Sequence, residues 1–164
     1  MTRIAVISDS HNAEVHLEWF AQVCEREKPD MIFHLGDVLS DVRWLEKRLN
    51  TAVTSVAGNC DFYSRHAREA RVTIEGRRIL LTHGDVHGVK YTLDHLSYYA
   101  EENNMDVALF GHTHRCFAAY VGRALLINPG ALKSGSYCML TIDKGDVIPR
   151  MMDLDKEIQK GRIP

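Results

Sequence analysis

The chain opens on a nearly unbroken apolar run, Arg3-Ile4-Ala5-Val6-Ile7-Ser8, which stops at Asp9-Ser10-His11-Asn12. A short β-branched run without polar alternation fits a strand buried on both faces. Ala13, Leu17, Phe20 and Cys24 then recur at helical spacing with Val23 beside them, and Pro29 closes that element. Asn12 stands where a helix N-cap is expected. Met31-Ile32-Phe33-His34-Leu35 reads as a second strand ended by Gly36-Asp37. Val38, Val42, Leu45 and Leu49 mark a second amphipathic helix, and residues 51–56 a third strand ended by Gly58-Asn59-Cys60-Asp61. This β-α-β-α-β alternation implies a parallel sheet with helices packed on it.

The second half reads differently. Residues 71–74 and 78–81 flank Glu75-Gly76-Arg77, the pattern of a hairpin, and the second run ends in Thr82-His83-Gly84. Residues 91–103 read as a helix and 107–110 as a strand ending in Gly111-His112-Thr113-His114. Short apolar runs at 117–121, 124–128, 137–142 and 147–152 are separated by Gly-containing turns, which predicts antiparallel strands. No linker, repeat or low-complexity stretch divides the halves. The expected architecture is one α/β domain over residues 1–164, with two sheets packed face to face and helices outside.

Composition narrows the function classes. At 164 residues the chain has the length of a single domain, and 45% hydrophobic with 26% charged residues is ordinary globular usage. Twenty Lys+Arg against 22 Asp+Glu give a net charge of −2, so an extended nucleic-acid partner, which needs a basic surface, is not expected. Cys24, Cys60, Cys116 and Cys138 are far apart, with no C-x-x-C pair. That excludes a disulfide scaffold and a cysteine-built zinc site, and points to a reducing, cytoplasmic setting. No apolar run is long enough to span a membrane, and the N-terminal run is too short for a signal-peptide core. Neither a monomer nor a homo-oligomer is favoured.

The unusual number is nine histidines. Four of them fall in polar clusters that directly follow apolar strands: Asp9-Ser10-His11, Gly36-Asp37, Gly58-Asn59, His83-Gly84 and Gly111-His112-Thr113-His114. In α/β sheets the carboxyl ends of strands form the ligand crevice, so all five clusters can converge. Together they offer two Asp, one Asn and four His. Imidazole and oxygen donors without thiolate suit Mn, Fe, Ni or Zn better than Ca or Mg. A lone Gly-Asp after a strand is more often a turn than a metal site. Five such clusters in order are not easily accidental.

This order, D-x-H, G-D, G-N, H-G and G-H-x-H, resembles that of the calcineurin-like metallophosphoesterase superfamily. The spacing and chain length resemble its small prokaryotic branch of YfcE-type phosphodiesterases. The resemblance runs from Ile4 to about Gly130 and includes Ile127-Asn128-Pro129-Gly130. It implies a four-layer α/β/β/α sandwich of two mixed sheets and a site for two divalent cations, Mn²⁺ first, with Ni²⁺, Fe²⁺ or Zn²⁺ also compatible. Carried over residue by residue, Asp9, His11 and His114 would bind the first ion, Asn59, His83 and His112 the second, and Asp37 both. The implied activity is hydrolysis of small phosphodiesters by metal-activated hydroxide attacking phosphorus in line. The alternative is a protein-binding scaffold of the same fold, like the retromer subunit.

Asp37, Asn59 and Cys60 are the expected catalytic residues. Many superfamily members carry His, thought to protonate the leaving group, where this chain has Cys60. A thiol is a poorer acid for that task, and a small buried hydrophobe is the competing reading of Cys60. Relatives also often carry His at Asp85 and Ser at Ala131. His34, Asp61, His87 and Arg115 are expected to support the ligands or touch substrate. His16 and His95 read as surface residues.

Overall fold

Alternate residues of the first strand face different cores. The computed structural model describes residues 1–163. Strand β1 (Thr2–Ile7) sends Ile4 and Val6 into a core between two sheets, and Ala5 and Ile7 into a core under helices. Both sides are apolar because both sides are covered, which is why the run lacks alternation.

The first sheet has the order β10-β9-β1-β2-β3. In it β2 (Met31–His34) and β3 (Thr54–Ser55) run parallel to β1, while β9 (Ser136–Asp143) and β10 (Asp146–Asp153) run antiparallel to each other. Helices α1 (Glu14–Glu27) and α2 (Leu39–Leu49) cover its outer face through Leu17, Phe20, Val42 and Leu45. The second sheet has the order β4-β5-β6-β8-β7. The hairpin β4 (Glu69–Ile74) and β5 (Arg77–Thr82) forms one edge, and β7 (Cys116–Val121) with β8 (Ala124–Pro129) the other. Between them β6 (Val107–Leu109) runs parallel to β5 and β8. Ile79, Leu81, Val107, Leu109, Leu125 and Ile127 face the first sheet. Leu80, Ala108, Ala124 and Leu126 face α3 (Asp94–Glu102). The result is the expected four-layer α/β/β/α sandwich.

Three local expectations change. Asn12 is not the N-cap of α1: Ala13 takes that position, and Asn12 adopts φ 57° while donating its N–H to Asp41 Oδ2 at 2.9 Å. The third strand shrinks from residues 51–56 to two, because the chain must turn into the Gly58-Asn59 loop. Residues 124–128 lie antiparallel only to β7, since their other neighbour is β6.

A fourth helix, α4 (Leu154–Gln159), was not evident from its short and mostly polar sequence. Asp153 caps it by accepting the Lys156 N–H, and Leu154 and Ile163 anchor its surroundings in the first core. Its buried Glu157 accepts hydrogen bonds from the hydroxyl of fully buried Tyr137 and from Arg26 Nη2, the latter at 2.9 Å. Replacing Glu157 by Ala leaves the buried Tyr137 hydroxyl unpaired and removes one of the two carboxylates on Arg26, which keeps Glu27. The expected loss is about 2–3 kcal/mol of unfolding free energy. Guanidinium denaturation of Glu157→Ala and Glu157→Gln checks this, with Gln retaining most of the stability.

Candidate metal centre

The strands of both sheets deliver their carboxyl ends to one place. Asp9 and His11 follow β1, Asp37 follows β2, Asn59 and Cys60 follow β3, His83 follows β5, and His112 and His114 follow β6. Ligand atoms of Asp9, His11 and His114 lie within 4.8 Å of one another, as do those of Asp9, Asp37 and His83 and those of His11, Asp37 and Cys60. The His112 ring lies 5.1 Å from that of His83, centroid to centroid.

One oxygen of each aspartate is already engaged. Asp9 Oδ2 accepts the Ser8 hydroxyl at 2.6 Å and the His112 N–H at 3.0 Å. Asp37 Oδ1 accepts the Cys60 N–H at 2.9 Å. The free oxygens face the imidazoles. Asp9 Oδ1 is 3.1 Å from His114 Nε2, 3.6 Å from His11 Nε2 and 3.8 Å from His83 Nε2. Asp37 Oδ2 is 3.3 Å from His83 Nε2 and 3.6 Å from His11 Nε2. Asp37 therefore turns a single oxygen toward both histidine sets, not one oxygen to each.

The donor set fits divalent cations. Asp9 and Asp37 are buried, and among the described residues their only ion-pair partners are histidines. Two buried carboxylates without a lysine or arginine call for a cation. His83 Nδ1 donates to the Leu35 carbonyl at 2.8 Å, so Nε2 is the atom that faces Asp37 Oδ2 and, at 3.0 Å, Asn59 Oδ1. In the neutral ring that nitrogen presents a lone pair beside two oxygen acceptors, an arrangement a cation satisfies. His11 Nε2 is buried without any hydrogen-bond partner. A metal ion satisfies both arrangements, and the outer hydrogen bond of His83 fixes the tautomer that ligation needs.

Electrostatics follow the same layout. Burial opposes ionisation of Asp37, but His83 and the Cys60 N–H hold its pKa well below the usual carboxylate range. Burial presses the His83 pKa down, yet Asp37 and Asp9 raise it on balance. Desolvation lowers the pKa of both His112 and His114, which keeps them neutral and competent as ligands. The Cys60 thiol is pushed up to about 11 by desolvation and by Asp37.

The backbone here is strained. Asp9, His11, Asp37, His112 and His114 all take positive φ, between 44° and 67°. Gly58 and Gly111 permit the close approach: a Cβ on Gly58 would lie 2.1 Å from Asp37 Oδ1, and one on Gly111 2.0 Å from Ser8 Oγ.

Supporting residues fix these loops. Asp61 accepts the N–H groups of Asp37, Gly58 and Leu39 at 3.1, 2.8 and 2.9 Å, so one carboxylate holds two site loops and caps α2. Fully buried His34 accepts the Gly36 N–H at Nδ1, 3.1 Å, which leaves Nε2–H to donate to Ser10 Oγ at 2.9 Å. Ser10 passes the chain on to the Asp37 carbonyl at 3.3 Å. Ser8, Ser10 and Asp41 were not among the expected site residues. Single hydroxyls or carboxylates without a motif carry no signal of their own.

His87 and Arg115 lie outside the cluster of ligand atoms. His87 packs on Tyr99 with ring centroids 4.7 Å apart, in a 3₁₀ turn after the His83 loop. Arg115 is exposed and lines a cleft beside the histidines. Cys60 is exposed, so the buried-hydrophobe reading does not apply.

Residues 2–145 match the calcineurin-like phosphoesterase superfamily domain. The chain belongs to this superfamily. Within it, the chain is 36% identical over 156 residues to the probable metallophosphoesterase YsnB of Bacillus subtilis, covering 92% of this chain and 90% of that one. It is 29% identical to the phosphodiesterase YfcE of Escherichia coli, covering 90% and 92%. Identity to vacuolar protein sorting-associated protein 29 of Schizosaccharomyces pombe is 27%, covering 93% and 83%. The crystal structure of a predicted phosphoesterase from Streptococcus pneumoniae superposes with a TM-score of 0.76 at 26% identity, over 94% and 90% of the two chains. As the family order requires, every superfamily motif sits at the end of a strand in this phosphoesterase fold.

The His34 link has a pH consequence. Desolvation lowers its pKa from 6.5 to about 4, so the folded phosphoesterase keeps the ring neutral. On acidification the unfolded chain takes up the proton first. The contribution of His34 to stability is complete above about pH 6.5 and is lost as pH falls toward 4. Urea denaturation between pH 7.5 and 4.5 should show this slope, and His34→Ala should flatten it.

Proposed function

We propose that the protein is a metal-dependent hydrolase of phosphodiesters. Asp9, His11 and His114 hold one divalent cation, Asn59, His83 and His112 hold a second, and Asp37 holds both. The observation that carries this reading is the pair of buried carboxylates ringed by imidazole Nε2 atoms with no lysine or arginine in contact. The nitrogen and oxygen donors suit Mn²⁺, with Ni²⁺, Fe²⁺ and Zn²⁺ chemically close. When bound, paired cations supply charge stabilisation to phosphoryl oxygens and a water-derived nucleophile at neutral pH.

The residues of the chain do the rest. Asp37 Oδ1 is tied to the Cys60 N–H, so Oδ2 keeps a fixed aim. Asn59 turns Oδ1 inward while its Nδ2 lies 3.8 Å from Cys60 Sγ. Cys60 lies in the same cluster as His11 and Asp37, and a thiol with a pKa near 11 stays protonated at pH 7. That argues against a covalent enzyme intermediate and for direct attack on phosphorus. The same high pKa makes Cys60 a weak proton donor, so esters with acidic leaving groups are favoured. The name of the Escherichia coli relative, phosphodiesterase, supports the substrate class. A small soluble phosphodiester in a cytoplasmic setting suits the four free cysteines.

A scaffold role is the second reading, favoured by the likeness to the vacuolar sorting protein. All seven ligand positions are nonetheless present, and five of them sit in strained backbone. A surface used only for docking has no need of either.

Titration with Mn²⁺ should show two ions per chain. Asp37→Ala should weaken both, and should lower hydrolysis of bis(4-nitrophenyl) phosphate by more than the ~10–100-fold typical of residues that only support ligands. Because imidazole ligates only when neutral, affinity should fall as pH drops below about 6.5 and excess Mn²⁺ should restore activity. Retained hydrolysis after Asp37→Ala, or one ion at saturation, would overturn the two-metal reading. Cys60→His should raise activity on diesters with alkyl leaving groups relative to nitrophenyl ones. An unchanged ratio means that proton donation at this position does not set the preference.

A further inference from the structure

Two clefts outside the metal-ligand cluster exceed 500 Å³. One, about 510 Å³, lies at the opposite end of the strands, near Arg3 at the start of β1. Its Arg3 and Arg26 are already paired with Glu27 and Glu157. The other, about 550 Å³, is built beside the metal centre. Thr113, which lies between His112 and His114, forms one of its walls. Val89, Leu93, Phe110 and Phe117 give it an apolar lining, with the two phenyl rings 6.3 Å apart and tilted by 58°. Lys90 and Arg115 stand at its exposed edge, and neither has a carboxylate partner among the described residues.

The composition is that of a small-molecule subsite: an apolar floor and a few charges that fix orientation. Thr113 and Arg115 flank His114 in the chain, so the cleft adjoins the loop that carries His112 and His114. Tilted phenyl rings receive a flat ring by edge and face contact better than they receive a flexible alkyl chain. Two unpaired cations at the mouth match a negative charge on the far side of that ring.

We propose that this cleft binds one ester arm of the substrate, and that the arm carries an aromatic ring and a second negative charge. The assignment rests on the phosphodiesterase reading above. It goes further by naming the chemistry of the arm. Leu93 and Phe117 select the ring, and Arg115 and Lys90 select the charge.

The test is equilibrium binding, which needs no turnover. Zinc-loaded protein is titrated calorimetrically with three phosphinates, whose phosphorus bears no ester bond to hydrolyse: dimethylphosphinate and methyl(phenyl)phosphinate, both monoanions, and methyl(4-carboxyphenyl)phosphinate, a dianion. Each carries one arm that differs. The phenyl arm should tighten binding by about tenfold or more, the gain expected for burying a ring. The carboxylate should add a further several-fold gain that salt weakens. Leu93→Trp, which fills the cleft, and Phe117→Ala, which removes one wall, should abolish the gain from the ring. Lys90→Ala with Arg115→Ala should abolish only the gain from the carboxylate. The second wall variant guards against misfolding of the first.

Equal affinity for all three compounds overturns the proposal, as does ring selectivity that survives both wall variants. Graded affinity with no hydrolysis of any nitrophenyl diester supports the cleft and overturns the catalytic reading. Failure to bind any of the three overturns both.

Discussion

Two carboxylates buried at the ends of adjacent parallel strands govern this molecule. Asp9 and Asp37 sit where β1 and β2 leave the sheet, out of reach of any described lysine or arginine. Leaving two such charges unpaired would cost several kcal/mol each. The chain spends backbone hydrogen bonds on one oxygen of each and imidazoles on the other. That division decides which atoms remain free, and so where a cation can sit. It also explains why the second sheet must lie against the first: only β5 and β6 can bring His83, His112 and His114 to charges carried by β1 and β2.

Holding the loops in that shape has a conformational cost. Five of the seven candidate ligands adopt left-handed backbone, at about 1–2 kcal/mol per residue. Hydrogen bonds from outside each loop maintain it. Asp61 reaches across to Asp37 and Gly58, His34 acts through Ser10, and Asp41 receives Asn12. Strain of this kind persists where the surroundings over-determine the geometry, as they do at preorganised sites.

Much of this was legible in the sequence, and the reasons are physical. β1, β5 and β6 are covered on both faces, so their apolar runs were unbroken, and a polar cluster after an unbroken run stands out. The convergence of these positions could be read because histidine and aspartate are conspicuous at strand ends. Asn12 misled because a good capping residue is also a good left-handed residue, and the loop needed the second property. Residues 154–159 hid a helix because its burial rests on one glutamate and one leucine. The role of Asp61 was expected only loosely: its partners are backbone N–H groups, which no side-chain pattern records. The single-oxygen presentation of Asp37 depends on the Cys60 N–H, which is likewise invisible in a string of letters.

The place of β1 in its sheet carries a consequence for how the site comes into being. Its antiparallel neighbour is β9, paired from Thr2 with Ile142 to Val6 with Cys138. The carbonyls of Ser8 and Asp9 accept the N–H groups of Leu132 and Lys133 at 2.9 and 3.2 Å. The loop of Asp9 and His11 is thus pinned by a segment far along the chain. Until that segment docks, β1 has an open edge and the Ser8 and Asp9 carbonyls lack these partners. Closing a loop of such length is the slow step in topologies of this kind. The cation-binding loops therefore take shape together, once residues 132–142 have closed on β1.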